Sequence, residues 1–324
     1  MPLPLYLSDD VVTSLITPEE CAAVIEDLFL QESRGEAEQQ PTVELHLPPR
    51  GVFRMKVGGV YGVNAFGFKA YLGTAGYRVF VYDIDEGFQG LVEAFKLTEM
   101  RTGAVSAVAA KHMARQDAST LGIIGTGREA RAQLRALSQV RQLRKVKAYS
   151  RNTENRAAYA AEMSEALKLD VEPVASAKEA VQGAEILITM TNANDPVFEG
   201  ADLEPGTLVC CVGATGPHRR ELDDEAVARS GMVVVEHLPL AQSECAELIH
   251  ANGSGRLHWG LVRELKDIVS GLITPRQAAN DINLFTSIGT GAEDVAVASY
   301  VLRKAREQGV GVELPIPPPM QRRR

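Results

Sequence analysis

The chain has 324 residues, 45% hydrophobic and 23% charged, with a formal charge of −8, which suits a globular protein large enough for two domains. Acidic and basic residues are interspersed, so nothing marks a surface for nucleic acid or an anionic membrane, and a small-molecule partner is expected. The start, MPLPLYLSDDVV, lacks a basic n-region followed by an apolar h-region, and no apolar run of about eighteen residues occurs, so a cytoplasmic location is the expectation.

Thr17 and Pro18 read as an N-cap and a first helical position, and apolar residues at helical spacing predict an amphipathic helix from Pro18 to Ser33. From Thr42 to Tyr82, short alternating or β-branched runs broken by glycines (TVELHL, GVFRMKV, GFKAYL, RVFVYDID) predict an antiparallel sheet. Leu91 to Arg115, Ala-rich in AVSAVAAKHMAR, reads as one or two helices that bridge to the next domain. Downstream the pattern becomes strand, glycine turn, helix, strand: STLGIIG, TGREARAQLRALSQV, KVKAYS, then a helix from Thr153 to Leu167. The runs AEILITM, GTLVCCVG and GMVVVE continue the alternation of a parallel doubly wound sheet. A last amphipathic helix covers Gly291 to Gln308, and the proline-rich tail ELPIPPPMQRRR is expected to fray. The fold class is therefore α/β: an N-terminal α+β domain, 1–112, completed by 291–324, and a doubly wound domain, 113–290. Cys21, Cys210, Cys211 and Cys245 have neither metal-ligand spacing nor a disulfide framework; buried thiols and no metal are expected.

In Gly122-Ile123-Ile124-Gly125-Thr126-Gly127-Arg128-Glu129-Ala130 an apolar strand runs through Gly-x-Gly-x-x-Ala directly into a helix. That context makes the motif a dinucleotide-binding, Rossmann-type turn. Gly125 permits the tight turn, Gly127 lets backbone approach a pyrophosphate, and Ala130 allows close helix–strand packing. Gly125, Thr126, Gly127, Arg128 and Glu129 are thus candidate contacts, with the phosphates at the helix N-terminus. About twenty-five residues past Gly125, where NAD-specific sites carry an acidic side chain, the chain reads Ser150-Arg151-Asn152-Thr153. A carboxylate there would repel a 2′-phosphate, whereas Ser150, Arg151 and Thr153 offer a charge and hydroxyl donors. The expectation is NADP(H), with NAD(H) the alternative. Thr191 and Asn192 follow an apolar strand at the carboxyl edge of the predicted sheet, and Val212 and Gly213 are candidates at the next strand.

Upstream lie Lys69 in GFKAYL, Arg54 and Lys56 in FRMKVGG, and Arg101 in TEMRTGAV. A lysine inside an apolar strand needs a partner to be buried. A guanidinium and an ammonium converging on one cleft would hold a substrate carboxylate, the first by a bidentate fork, the second as a point charge.

The chain resembles the ornithine cyclodeaminase/mu-crystallin family along nearly its whole length. The resemblance rests on GFK at Lys69, RTGAVSAVAAKHMAR, GIIGTGREA, VGATGPHRRELDDE and LFTSIGTGAEDVA. It implies a substrate domain whose sheet forms a homodimer interface, a Rossmann domain and a C-terminal helix returning to the first domain. It implies that Lys69 and Arg101 grip an amino-acid carboxylate, with Arg54 or Lys56 as a third cation, and that Ser287 and Gly289, matching an SxG block, return near the nicotinamide. Members include cyclodeaminases, alanine dehydrogenases and ketimine reductases, so membership alone does not fix the reaction. Where the cyclodeaminases and the archaeal alanine dehydrogenase of the family carry an aspartate, this chain has Thr215. A hydroxyl can hydrogen-bond or relay but not ionise as a carboxylate does, which points to the mu-crystallin-like ketimine reductases. The expected reaction is reduction of Δ1-pyrroline-2-carboxylate or Δ1-piperideine-2-carboxylate to the L-amino acid, with Lys69, Arg101 and Thr215 in the catalytic set. Ornithine cyclodeamination, alanine dehydrogenation and non-catalytic dinucleotide binding are the alternatives. His218 reads as an exposed loop residue, and His258 and Trp259 as candidates for the pocket mouth.

Overall fold

The computed structural model describes residues 3–49, 51–276 and 278–316. In chain order come β1 (Leu5–Leu7), α1 (Asp9–Leu15), α2 (Pro18–Ser33), β2 (Ala37–Gln39), β3 (Val43–Leu47), β4 (Gly51–Val60), β5 (Ala65–Leu72), β6 (Gly76–Asp83), β7 (Gly87–Glu93) and α3 (Phe95–Met113). There follow β8 (Thr120–Ile124), α4 (Arg128–Val140), β9 (Lys145–Tyr149), α5 (Thr153–Leu167), β10 (Asp170–Pro173), α6 (Ala177–Val181), β11 (Ile186–Thr189) and β12 (Leu208–Cys211). The last are α7 (Asp224–Ala228), β13 (Met232–Val235), α8 (Leu238–Glu244), α9 (Ala246–Gly253), β14 (Arg263–Glu264), α10 (Leu265–Val269), β15 (Asn283–Thr286), α11 (Gly291–Gln308) and β16 (Val312–Glu313). The chain forms two compact units, 1–101 with 289–324, and 102–288.

In the first unit an eight-stranded sheet runs β16-β1-β7-β6-β5-β4-β2, with β3 on β4. Helix α2 starts where the Thr17 side chain accepts from Glu20 N–H and the Glu20 carboxylate accepts from Thr17 N–H, a reciprocal cap on two orphan donors. Helix α11 packs across β4, β5 and β6 and against α2. On these elements Ile25, Leu28, Phe29, Val79, Val81, Val295 and Val301 are each buried, and burial of such a side chain contributes about 1.5–3 kcal/mol. Two expectations need correcting here. Leu91–Glu93 belongs to β7, paired with β6 on one side and β1 on the other, and helix begins only at Phe95; hydrogen bonding from two neighbours outweighs the local helical pattern. The tail does not fray from its start, because Val312 and Glu313 pair with β1 and Leu314 N–H donates to Pro4 O at 2.8 Å. Its remainder, 317–324, lies outside the described residues.

The second unit is an eight-stranded, wholly parallel sheet in the order β10-β9-β8-β11-β12-β15-β13-β14. β9 and β11 flank β8, so the chain reverses direction across the sheet beside the β8 turn, where doubly wound folds bind ligands. On one face Leu187, Val209, Leu222, Val233, Leu240, Leu248 and Leu284 form a common core. The division between units falls inside α3 instead of after residue 112. From Thr102 onward α3 lies on α4: Gln133 Nε2 donates to Thr102 O at 3.2 Å, and a Cβ on Gly103 would come within 2.6 Å of Ala132 O. No helix among the described residues is long and apolar enough to cross a membrane.

Candidate active site

In the first unit Lys56 and Lys69 are direct cross-strand partners on β4 and β5, and period-two alternation turns both toward α11. The acceptors come from the first turn of α11, where Thr290 caps Glu293 N–H. Lys69 Nζ lies 2.8 Å from Asp294 Oδ2, Arg101 Nε 3.1 Å from Asp294 Oδ1 and Arg101 Nη1 3.0 Å from Glu293 Oε2. Lys56 Nζ donates to Gly289 O at 2.8 Å. Gly289 has φ +69, and a Cβ there would fall 2.3 Å from Arg101 Nη1, so glycine alone lets the chain pass beside the guanidinium. All five charged side chains are buried.

The fields are mutual. Burial pulls the Lys69 ammonium down to about 8, with Arg101 and Lys56 adding to the fall and Asp294 opposing it. Burial pushes the Asp294 carboxyl up, but Lys69, Arg101 and Lys56 overcome this and hold it below the usual carboxylate range. Arg54 stands apart, half-buried and ion-paired with Glu44 on β3 at 2.6 Å.

In the second unit Gly125 ends β8 with φ +106, and a Cβ there would lie 2.1 Å from Met190 O. A side chain at Gly127, by contrast, would meet nothing within 4 Å, and Gly127 begins α4 without a side-chain cap. An open cradle beside an uncapped helix start suits a pyrophosphate. At the end of β9, Thr126 Oγ1 donates to Ser150 Oγ at 2.8 Å, and Ser150 Oγ donates to Asn152 O at 3.1 Å. Arg128, Arg151 and Thr153 are exposed nearby in the sequence, while Asn152 caps α5 and Glu129 is half-buried in the first turn of α4. Val212, Gly213 and Thr215 follow β12, with Thr215 exposed. Thr191 and Asn192 follow β11. Ser287 donates to Glu236, whose second oxygen accepts Ile288 N–H at 3.1 Å. Gly289 falls with the cations of the first unit. His218 and His258 are exposed, and Trp259 packs on the second unit's core. The four cysteines are buried free thiols.

Sequence reasoning missed Glu293 and Asp294. The available signal was a Thr-x-x-Glu start whose Glu293 is followed at once by Asp294, ahead of the apolar stretch Val295–Ala298, since buried acids require cations.

The parallel sheet and its glycine turn make the second unit a Rossmann domain. The chain matches the ornithine cyclodeaminase/mu-crystallin family over residues 5–309 and belongs to it. It is 38% identical over 222 residues to a Δ1-pyrroline-2-carboxylate reductase of Bacillus cereus, covering 68% of each chain. The structure of Thermococcus litoralis Δ1-pyrroline-2-carboxylate reductase in complex with NADH and L-proline is 32% identical, with a TM-score of 0.92 over 96% of this chain and 100% of that one. An archaeal alanine dehydrogenase dimer with bound NAD is 28% identical, with a TM-score of 0.89 over 96% of this chain and 98% of that one.

Proposed function

We propose that this protein reduces a cyclic imino acid, of the Δ1-pyrroline-2-carboxylate or Δ1-piperideine-2-carboxylate kind, to the L-amino acid with a nicotinamide dinucleotide. The observation that carries the reading is the buried cluster in which three cations, Lys56, Lys69 and Arg101, face two carboxylates, Glu293 and Asp294. The Arg101 guanidinium offers a planar fork and the Lys69 ammonium a point charge, the pair of donors that recognises a substrate carboxylate. The reductases named above from Bacillus cereus and Thermococcus litoralis support the same substrate class.

When bound, the nicotinamide ring supplies a hydride to the C=N carbon. Arg101 and Lys69 fix the substrate carboxylate, and the adjacent imine carbon is thereby oriented. With its ammonium drawn down to about 8, Lys69 Nζ is suited to pass a proton toward the imine nitrogen near neutral pH. Thr215, as a hydroxyl, orients the ring nitrogen or a water. Gly125, Thr126, Gly127, Arg128 and Glu129 hold the pyrophosphate, and Thr191, Asn192, Val212, Gly213 and Ser287 the nicotinamide half. Gly289 serves the carboxylate cluster, and Arg54 lies outside the core of the clamp.

The proposed cofactor is NADP(H), because Ser150-Arg151-Asn152-Thr153 carries a guanidinium and hydroxyls with no carboxylate. The proposed assembly is a homodimer. On the sheet face away from α11, Phe66 stacks on Tyr82 and Phe68 on Phe80, while Val43, Leu45 and Phe66 stay 52%, 56% and 42% exposed. An apolar sheet face left open in this way suits a second copy. A cytoplasmic location belongs to the same proposal.

Purified protein should oxidise NADPH faster than NADH with either cyclic imino acid, and turn over pyruvate plus ammonia or ornithine at least a hundredfold more slowly (about 3 kcal/mol of discrimination). Release of ammonia from ornithine with catalytic NAD would overturn the assignment. A second expectation concerns pH. The charged form of Lys69 binds the carboxylate, so kcat/KM for the imino acid should fall as pH rises through about 8, the free enzyme's value. In kcat the same limb should lie at higher pH, because bound carboxylate stabilises the ammonium. If Lys69→Arg retains the limb near 8, another group is responsible.

A further inference from the structure

Glu221 is a buried carboxylate of the second unit that accepts several hydrogen bonds, and nothing in the reaction scheme uses it. It sits in the RELDDE segment after β12, fully buried. Its Oε1 accepts Thr191 N–H at 2.5 Å. Its Oε2 accepts Gly213 N–H at 2.9 Å, Ala214 N–H at 3.2 Å and the Thr189 hydroxyl at 3.0 Å. Thr191 and Gly213 each lie two residues beyond the end of neighbouring parallel strands, β11 and β12. The two chain segments leave the sheet there with no ladder left to join them, and the Glu221 carboxylate replaces it. Gly213 permits the approach: a Cβ at this position would lie 2.2 Å from Thr191 N and 2.8 Å from Glu221 Oε1.

The clip is itself anchored. Glu247, in the first turn of α9, accepts Glu221 N–H at 2.8 Å and the Cys211 thiol at 3.5 Å. On its other side the same segment touches the phosphate turn, since Met190 N–H donates to Ile124 O at 2.8 Å and Met190 O blocks any side chain at Gly125. The order of strands assigns the parts. β9 carries the adenosine end, β8 the pyrophosphate turn, and β11 and β12, one and two strands further on, the nicotinamide half.

We infer that Glu221 is a positioning residue for the reduction: it clips the exits of β11 and β12 into the shape that receives the nicotinamide half of the cofactor, leaving the adenosine half to β8 and β9. The inference rests on the dinucleotide reading given above. Replacing the carboxylate by an amide of the same size puts an N–H group against a row of backbone donors, which forces the two exits apart.

The test is a set of equilibrium titrations on wild type, Glu221→Gln and Thr189→Val, with NADPH and NADH as whole-cofactor probes and adenosine 2′,5′-bisphosphate and AMP as adenosine-half probes. In Glu221→Gln the Kd for the intact dinucleotide should rise by about tenfold or more, while that for the matching adenosine-half probe stays within about twofold. Thr189→Val removes a single hydroxyl from the carboxylate and should give the same pattern at about threefold, which keeps the test open if Glu221→Gln does not fold. Equal weakening of whole and half cofactor would mean a general structural role, and unchanged Kd values would mean no role; either overturns the inference. Wild type that binds neither probe sinks the dinucleotide reading itself and takes this inference with it.

Discussion

Arg101→Ala should lower kcat/KM for Δ1-pyrroline-2-carboxylate by about a thousandfold, the largest loss from any single side chain outside the cofactor turn. Arg101 donates from Nε to Asp294 and from Nη1 to Glu293 inside a site it shares with Lys69. Removing it leaves two buried carboxylates facing two lysines and takes away the only planar fork in the named cluster. Truncating one partner of a buried charge pair costs about 3–5 kcal/mol, so stability falls as well and a second variant is needed. Arg101→Lys keeps the charge without the fork. Its melting temperature should stay close to wild type, while KM rises by about a hundredfold. The control is a cyclic imine without a carboxylate, Δ1-pyrroline itself, which should be a poor substrate for both proteins and show no further loss in Arg101→Lys. Equal losses with and without the carboxylate would remove Arg101 from substrate recognition.

Gly125→Val should abolish cofactor binding, raising the Kd for NADPH or NADH by more than about a hundredfold. Two penalties add. At φ +106 a β-branched residue is strained, and its Cβ would overlap Met190 O at 2.1 Å. The turn has to open, which displaces the N-terminus of α4 from the place proposed for the phosphates. Gly127→Ala offers the complementary case. Nothing lies within 4 Å of the added methyl, so the melting temperature should hold while the methyl occupies the room proposed for the pyrophosphate. If Gly127→Ala binds dinucleotide as wild type does, the phosphates lie elsewhere.

What could be read from sequence follows from the range of the interactions involved. Helix α2 is legible because Thr17, Pro18 and Glu20 set its start within four residues. The Gly125 turn is legible because strand, glycines and helix are contiguous. Strand β15 is not, since Asn283–Thr286 is a four-residue run without alternation that becomes a strand only by pairing with β12 and β13. Within the candidate site, Lys69 and Arg101 attract notice as cations among apolar or small residues. Their acceptors Glu293 and Asp294 lie about two hundred residues later, on a helix whose periodicity reads as core, and only tertiary structure brings them together. Glu221 escapes notice for a related reason, as one acid in an acidic segment whose partners are backbone groups that sequence does not distinguish.

The second unit is inserted between the two pieces of the first, and this has a consequence for the order of synthesis. As the chain leaves the ribosome, residues 102–288 emerge with everything their parallel sheet requires, and domains generally fold as units in that order. The first unit has by then its strands, Lys56, Lys69 and Arg101, but neither the helix that covers them nor Glu293 and Asp294. Until Asp294 has been made, Lys69 and Arg101 lack these two acceptors, so the proposed carboxylate-binding cluster is among the last parts of the unit to be completed.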